Sequence, residues 1–184
     1  ERGEDHATHG GRVVDSEPKV IHAAGTSEVT EIKGGRSSQG RQSTYRGAIM
    51  RDEVISVAKS LESVIDALLE LARNHQDTVM PSYTNGVAAQ PTSFAHYLLG
   101  FIEGFKRDRV RLTQFFSRLN YCPMGSSVLI ATGLFLHRYL MSKLLCSHAP
   151  TPNAFDALHF ALVFLPLELA CFIPSVAVSI APYV

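Results

Sequence analysis

The strongest constraint on how this chain folds is a run of apolar residues at three- and four-residue spacing. Phe94, Tyr97, Leu98, Phe101, Ile102, Phe105, Leu112, Phe115, Phe116 and Leu119 fall on one stripe of a single helix. That stripe is longer than the usual globular helix of about 12 residues. Pro91 marks its start, with Thr92 or Ser93 as the cap. The charged middle, KRDRVR, reads as a solvated face. A second stripe precedes it from Arg51 onward: Val54, Ile55, Ala58, Leu61, Ile65, Leu68, Leu69 and Ala72, with Lys59, Glu62, Asp66, Glu70 and Arg73 placed elsewhere. Strand signals are nearly absent. The pattern predicts an all-α fold, a bundle of long helices, over residues 48–184. Residues 1–47 are rich in Gly, Ser, Thr, Arg and His without a sustained period, and read as irregular or weakly helical.

A third apolar block spans residues 157–181 and is long enough to cross a bilayer. His159, Glu168, Pro166 and Pro174 interrupt it, and no basic flank borders it, so a buried bundle helix is the favoured reading over a membrane span. Charge excludes other partners. Lys plus Arg and Asp plus Glu number 17 each, which gives no electrostatic basis for binding nucleic acid. The three cysteines, Cys122, Cys146 and Cys171, are odd in number and widely spaced. They read as reduced thiols of a cytoplasmic protein, not as a disulfide scaffold or zinc site. The start at Glu1 and the apolar end SVAVSIAPYV suggest ends cut from a longer polypeptide, and the first residues show no secretory signal.

Between the two amphipathic patterns lies MPSYTNGVAAQPTS, residues 80–93. It is longer than a bundle connection needs, and such loops are functional or disordered. This one is neither charged nor Gly/Ser-rich. Tyr83, Thr84, Asn85 and Gln90 carry hydroxyl and amide donors suited to holding carboxylates. The competing reading is that they satisfy only the loop's own backbone.

Other candidates are less specific. His96 lies on the second helix and reads as a core or interface residue before a catalytic one. Arg138, after His137, could pair with a substrate or with a buried carboxylate. His6 and His9 have two-histidine spacing, but a lone pair beside glycines is weak grounds for a metal. Ser126 and Ser127 lack a nearby His–Asp arrangement, so a hydrolase is poorly supported. KGGRSSQG lacks the terminal Lys-Ser/Thr and the preceding strand of a phosphate-binding loop.

The segment DTVMPSYTNGVAAQPTSFAHYLLG resembles the signature loop of argininosuccinate lyases, in the fumarase/aspartase superfamily, whose pattern is close to DT-x-MPGYTH-x-Q-x-AQP-x-xF-x-HYLL. Residues 33–44, KGGRSSQGRQST, resemble that family's TGRSRNDQ-x-AT. Residues 105–133, FKRDRVRLTQFFSRLNYCPMGSSVLIATG, resemble its F-x-RD-x-xRL segment with the following PLG-x-x-ALAGT. LHR at 136–138 stands where the family has IDR, and NAFDALHFALVFL at 153–165 resembles its NS-x-DAVSDRDF-x-x-EFL with a short deletion.

The resemblance implies a homotetramer that cleaves argininosuccinate to arginine and fumarate by C–N elimination, with no cofactor or metal. That chemistry abstracts a proton beside a carboxylate and stabilises the resulting charge. Thr84 and Gln90 would hold the fumarate-end carboxylates, and Ser37, Ser38 and Gln39 take the places of a substrate-contacting Ser-Arg-Asn triplet. The departures imply impaired catalysis. Asn85 replaces the family's active-site histidine, Ser38 and Gln39 replace its arginine and asparagine, and Gly40 replaces its aspartate. The SDRD cluster is contracted to Leu158-His159. A loop of the GSS-x-MP-x-KKNP type, which carries the family's catalytic serine, has no counterpart within these 184 residues, and the family's N-terminal substrate-binding segment is not recognisable either. A catalytically dead structural or regulatory oligomer of the same family, or a small membrane-associated helical protein, would be the alternatives.

Overall fold

In the computed structural model the described residues are His22, Ala23, Gly25 and 37–180. They are mainly helical: α1 Ser38–Asn74, α2 Phe94–Leu119, α3 Arg138–Leu144 and α4 Ala161–Ile180, the last preceded by a π-helical turn at Asp156–Phe160. Four short strands, β1 Val79–Thr84, β2 Val87–Ser93, β3 Tyr121–Cys122 and β4 Ala149–Pro150, form two separate two-stranded sheets. The all-α class read from periodicity is the class observed. The chain divides into two compact units. One joins the residues up to Ile49 with Leu119–Leu165, and the other joins Met50–Arg118 with the segment from Pro166 onward.

The second unit holds the long amphipathic helices. Leu61 and Ile65 of α1 pack with Ile102 and Phe105 of α2, and Ala72 packs with Ala95 and Leu98. Contacts that step backward along α1 as they step forward along α2 make the pair antiparallel. Val54, Leu112 and Phe115 are buried as well, as their stripes require. Arg109 reaches across from α2 to Glu62 of α1 at 3.1 Å. Ser93 starts α2, its Oγ accepting the His96 amide hydrogen at 3.1 Å, which selects one of the two residues proposed as cap.

KRDRVR is not uniformly solvated. Asp108 is fully buried, because positions 105, 108, 112 and 115 share the inward stripe. Its carboxylate accepts from Arg111 Nη1 at 2.9 Å and from Ser179 Oγ of α4 at 2.8 Å. Arg111 also donates to Ser175 Oγ at 2.6 Å, and Arg118 pairs with Glu168. The bond to Glu168 raises the proton affinity of Arg118 above its ordinary value. On the exposed side of α2, Lys106 one turn on lowers the Glu103 pKa through a direct hydrogen bond and its charge. Residues 168, 175 and 179 of α4 thus meet 118, 111 and 108 of α2 in a polar, antiparallel seam.

Among the described residues no helix is long and apolar enough to cross a membrane. α4, favoured from its composition as a buried bundle helix, is only partly covered by this one chain. Phe172 is buried, but Val163, Phe164, Leu167, Ile173 and Val178 are exposed in the single chain. Pro166 and Pro174 lie inside α4, each removing one backbone donor from its ladder.

In the first unit β3 and β4 pair in parallel, flanked by bonds from the His148 amide to the Asn120 carbonyl and from the Thr151 amide to the Cys122 carbonyl, both 2.9 Å. Arg138 at the start of α3 donates to the Thr151 carbonyl at 2.7 Å. Gly125 (φ +83) lies beneath this arginine. A Cβ there would sit 2.9 Å from both Arg138 Cγ and Met141 Cε, so only glycine fits. Asn153 Oδ1 accepts the Phe155 and Asp156 amides at 2.9 and 3.0 Å and so opens the π-helical turn.

Helix α1 begins at Ser38, well before the Arg51 suggested by periodicity. Ser37 caps it: Ser37 Oγ accepts the Gly40 amide hydrogen at 3.0 Å, and its carbonyl accepts that of Arg41 at 3.2 Å. The opening turns escape a periodicity reading because SQGRQSTYRG carries no apolar stripe. Most of the segment expected to be irregular lies outside the described residues.

Candidate functional site

MPSYTNGVAAQPTS is not a long linker but a β-hairpin, contrary to the near absence of strands expected. β1 and β2 pair antiparallel and meet at a two-residue turn, with Thr84 opposite Val87. Asn85 (φ 51) and Gly86 (φ 76) both occupy left-handed space, as a type I′ turn demands. Asparagine and glycine enter that region at least cost, and the turn's twist matches that of the flanking strands. An Asn-Gly pair between Val, Tyr and Thr residues was the available signal. The helical stripes on either side masked it.

The ladder is irregular in its middle. Pro81 faces Pro91, Tyr83 faces Ala88, and the register shifts between them. Ser82 on one strand therefore opposes both Ala89 and Gln90 on the other, a β-bulge. Ser82 Oγ donates to the Gln90 carbonyl at 2.7 Å and accepts the Gln90 amide hydrogen at 3.1 Å.

Thr84, Asn85 and Gln90 are all exposed on this hairpin. The fold thus brings three of the proposed site residues onto one small, tightly turned element. What they offer is a hydroxyl and two carboxamides, able to hold carboxylates but not to exchange a proton near neutral pH. Tyr83 is exposed beside them.

Ser37, Ser38 and Gln39 belong to the other unit, at the N-terminus of α1. Capping occupies the Ser37 hydroxyl, while the backbone N–H groups of the first turn point toward any anion placed there. Gly40, next in sequence, is buried. A Cβ on it would meet Ser37 Oγ at 3.2 Å and Leu158 Cδ2 at 3.9 Å. Two departures from the resembled pattern, Gly40 and Leu158, therefore pack toward each other, and the pair brings no charge to this turn. Replacing Ser37 with alanine removes the cap and should cost about 1 kcal/mol of helix stability. Thermal unfolding of Ser37→Ala checks this, and a loss below about 0.3 kcal/mol would discount the cap.

The remaining candidates fall elsewhere. His96 is exposed, so it is not a core residue of this chain. His137 precedes α3 without a side-chain cap bond, its ring edge-on to Phe135 at 4.7 Å. Arg138 serves the Thr151 carbonyl. Ser126 is fully buried, and Ser127, Leu129 and Ala131 carry φ values of 51, 70 and 63, a strained segment for non-glycine residues. Among the described residues no group of His, Cys, Asp and Glu is arranged to hold a metal ion, while His6 and His9 lie outside them. Cys122 is buried, and Cys146 and Cys171 are exposed, with no disulfide between them.

Comparison with known proteins adds an independent line. The sequence profile of the Lyase family matches residues 12–161. An argininosuccinate lyase of Caldanaerobacter subterraneus subsp. tengcongensis is 37% identical over 138 residues, covering 73% of this chain and 31% of that protein. One from Methanoculleus marisnigri is 34% identical over 157 residues, covering 85% of this chain and 31% of its own length. The chain therefore spans about a third of the curated relatives it matches. Among solved structures, an EDDS lyase in complex with formate superposes with a TM-score of 0.79 at 24% identity, over 93% of this chain and 35% of that one, a likeness of fold.

Proposed function

Because the chain belongs to the Lyase family, whose profile covers residues 12–161, we propose that it is the hairpin-bearing part of an argininosuccinate lyase-like protein with impaired catalysis. The reaction is elimination of fumarate from argininosuccinate to leave arginine. Thr84 and Gln90 hold the carboxylates of the fumarate half, and the first turn of α1, with Ser37, Ser38 and Gln39, receives another part of the substrate. The observation that carries this reading is the hairpin: its hydroxyl and amide groups stand exposed on one tightly turned element, inside the segment that spells the lyase signature. The substrate is a small molecule whose leaving half is a dicarboxylate, argininosuccinate, and neither cofactor nor metal takes part. Assembly is as a cytoplasmic homotetramer, in which partner copies cover the apolar side of α4 and supply the rest of each site.

Impairment follows from Asn85. A positioned acid or base accelerates such a step by about 10²–10⁴-fold, and an amide supplies neither. Expressed at its natural length, the protein is expected to release fumarate slowly. Asn85→His should raise that rate about tenfold, well short of a full acid–base contribution because Ser38 and Gln39 still lack the resembled arginine and asparagine.

A second reading, a structural or regulatory oligomer without turnover, is favoured by the same substitutions. Fumarate release followed by absorbance separates the two, with sedimentation run on each sample. Assembled protein at background rate both with and without Asn85→His supports the structural oligomer and sinks the enzymatic reading.

A further inference from the structure

We propose that Ser82 is a positioning residue that locks the Gln90 backbone at the hairpin bulge and so sets the direction in which its side chain leaves the strand. The inference deepens the proposed function, since it rests on Gln90 as a carboxylate-holding group. It starts from a defect in the ladder. Pro81 and Pro91 face each other, and neither has a backbone N–H to donate. Immediately beyond them one residue, Ser82, opposes two, Ala89 and Gln90, so backbone pairing cannot continue in register. The hairpin is weakest at the residue whose aim matters.

The Ser82 hydroxyl repairs that defect from a single atom. It donates to the Gln90 carbonyl at 2.7 Å and accepts the Gln90 amide hydrogen at 3.1 Å, taking both partners that a regular strand neighbour would have supplied. A hydroxyl is the smallest group that can do both at once. With its carbonyl and amide held, the Gln90 backbone has little freedom to rotate, and Cβ leaves it in one direction. Beyond the bulge the ladder resumes at Tyr83–Ala88 and Thr84–Val87 and closes at the Asn85-Gly86 turn, so Thr84 and Gln90 are carried on one fixed element. Where the resembled signature reads MPGYT, this chain reads MPSYT, and glycine has no side chain to form such a bridge. Ser82 touches no substrate in this account and acts only through Gln90.

The test uses the full chain, with Ser82→Ala and the hydroxyl-retaining Ser82→Thr. Hydrogen exchange of the Gln90 amide, resolved by NMR, reads the lock without any ligand. Exchange should accelerate about tenfold in Ser82→Ala, as loss of the bond that the amide donates to Ser82 Oγ implies, and return to within about twofold of the parent in Ser82→Thr. An unchanged Gln90 exchange rate in Ser82→Ala overturns the inference, as does equal acceleration in both variants. Fumarate is then titrated while the Gln90 side-chain amide resonances are followed. Binding weakened about fivefold or more in Ser82→Ala but kept in Ser82→Thr is the expected result, and equal binding in all three overturns the positioning role. If fumarate shifts no Gln90 resonance in any form while the exchange difference persists, the carboxylate reading falls and the lock stands.

Discussion

Truncating Ile102 to alanine is expected to lower the unfolding free energy by about 2–5 kcal/mol. The side chain is fully buried on α2, in the cluster with Leu61, Ile65 and Phe105, with Leu68, Leu69 and Phe101 around it. Deleting its outer carbons loses their transfer free energy, and helices fixed by neighbouring contacts cannot collapse fully into the space. Few domains hold more than about 5–15 kcal/mol in reserve, so this single change should leave α1 and α2 only marginally paired. Urea unfolding followed by circular dichroism measures it. A loss under about 1 kcal/mol would mean that α1 and α2 do not pack through this cluster.

Replacing Asp108 with alanine is the other large effect, about 2–3 kcal/mol destabilising. Removing one partner of a buried ion pair can cost about 3–5 kcal/mol when the remaining charge is stranded. Here the remaining charge is not stranded: the Arg111 side chain is 56% exposed and can return to water. The Ser179 hydroxyl keeps the Ser175 carbonyl, 3.2 Å away, as an acceptor, so what is lost is the bonds to the carboxylate and the space it filled, which places the loss below the full range. That division is itself testable. The double variant Asp108→Leu with Ser179→Ala replaces the polar pair with an apolar one and fills the space, and should regain about 1 kcal/mol or more relative to Asp108→Ala. Equal stability of the single and double variants would show that α4 is not held through this seam.

Asp108 also shows where a sequence reading succeeds and where it fails. The stripes on α1 and α2 identified most of their buried residues, because burial of an amphipathic helix is written in its period, although Ile55 and Tyr97 at the stripe edges are exposed and Ala95 off the stripe is buried. Asp108 lies on that same stripe, yet its charge placed it outside, since nothing in α2 alone announces the Ser175 and Ser179 partners supplied by α4. The hairpin was hidden for a different reason. Its turn is spelled by two residues, Asn85 and Gly86, while two prolines and a bulge erase the alternation that marks a strand. Ser37 was legible as a group with chemistry but not as a cap, because the turns after it carry no apolar period. The site residues themselves were legible as types and as matches to a pattern. The grouping of Thr84, Asn85 and Gln90 on one hairpin, apart from Ser37, Ser38 and Gln39, needed the backbone.

The division of the chain into two units has a kinetic consequence. Each unit is assembled from two stretches separated by a stretch that belongs to the other, with crossings after Ile49, Arg118 and Leu165. Neither can be completed as the chain emerges in order. The first stretch of one waits for residues from Leu119 onward, and the second waits for α4. Closing such interleaved loops before their contacts repay the entropy slows folding and prolongs the exposure of unpaired apolar helices. Dissection is constrained as well: a cut after Arg118 divides both units, whereas a cut after Ile49 or after Leu165 divides one and leaves the other whole. A nick near Arg118 is therefore an event for both units at once, not the loss of a detachable module.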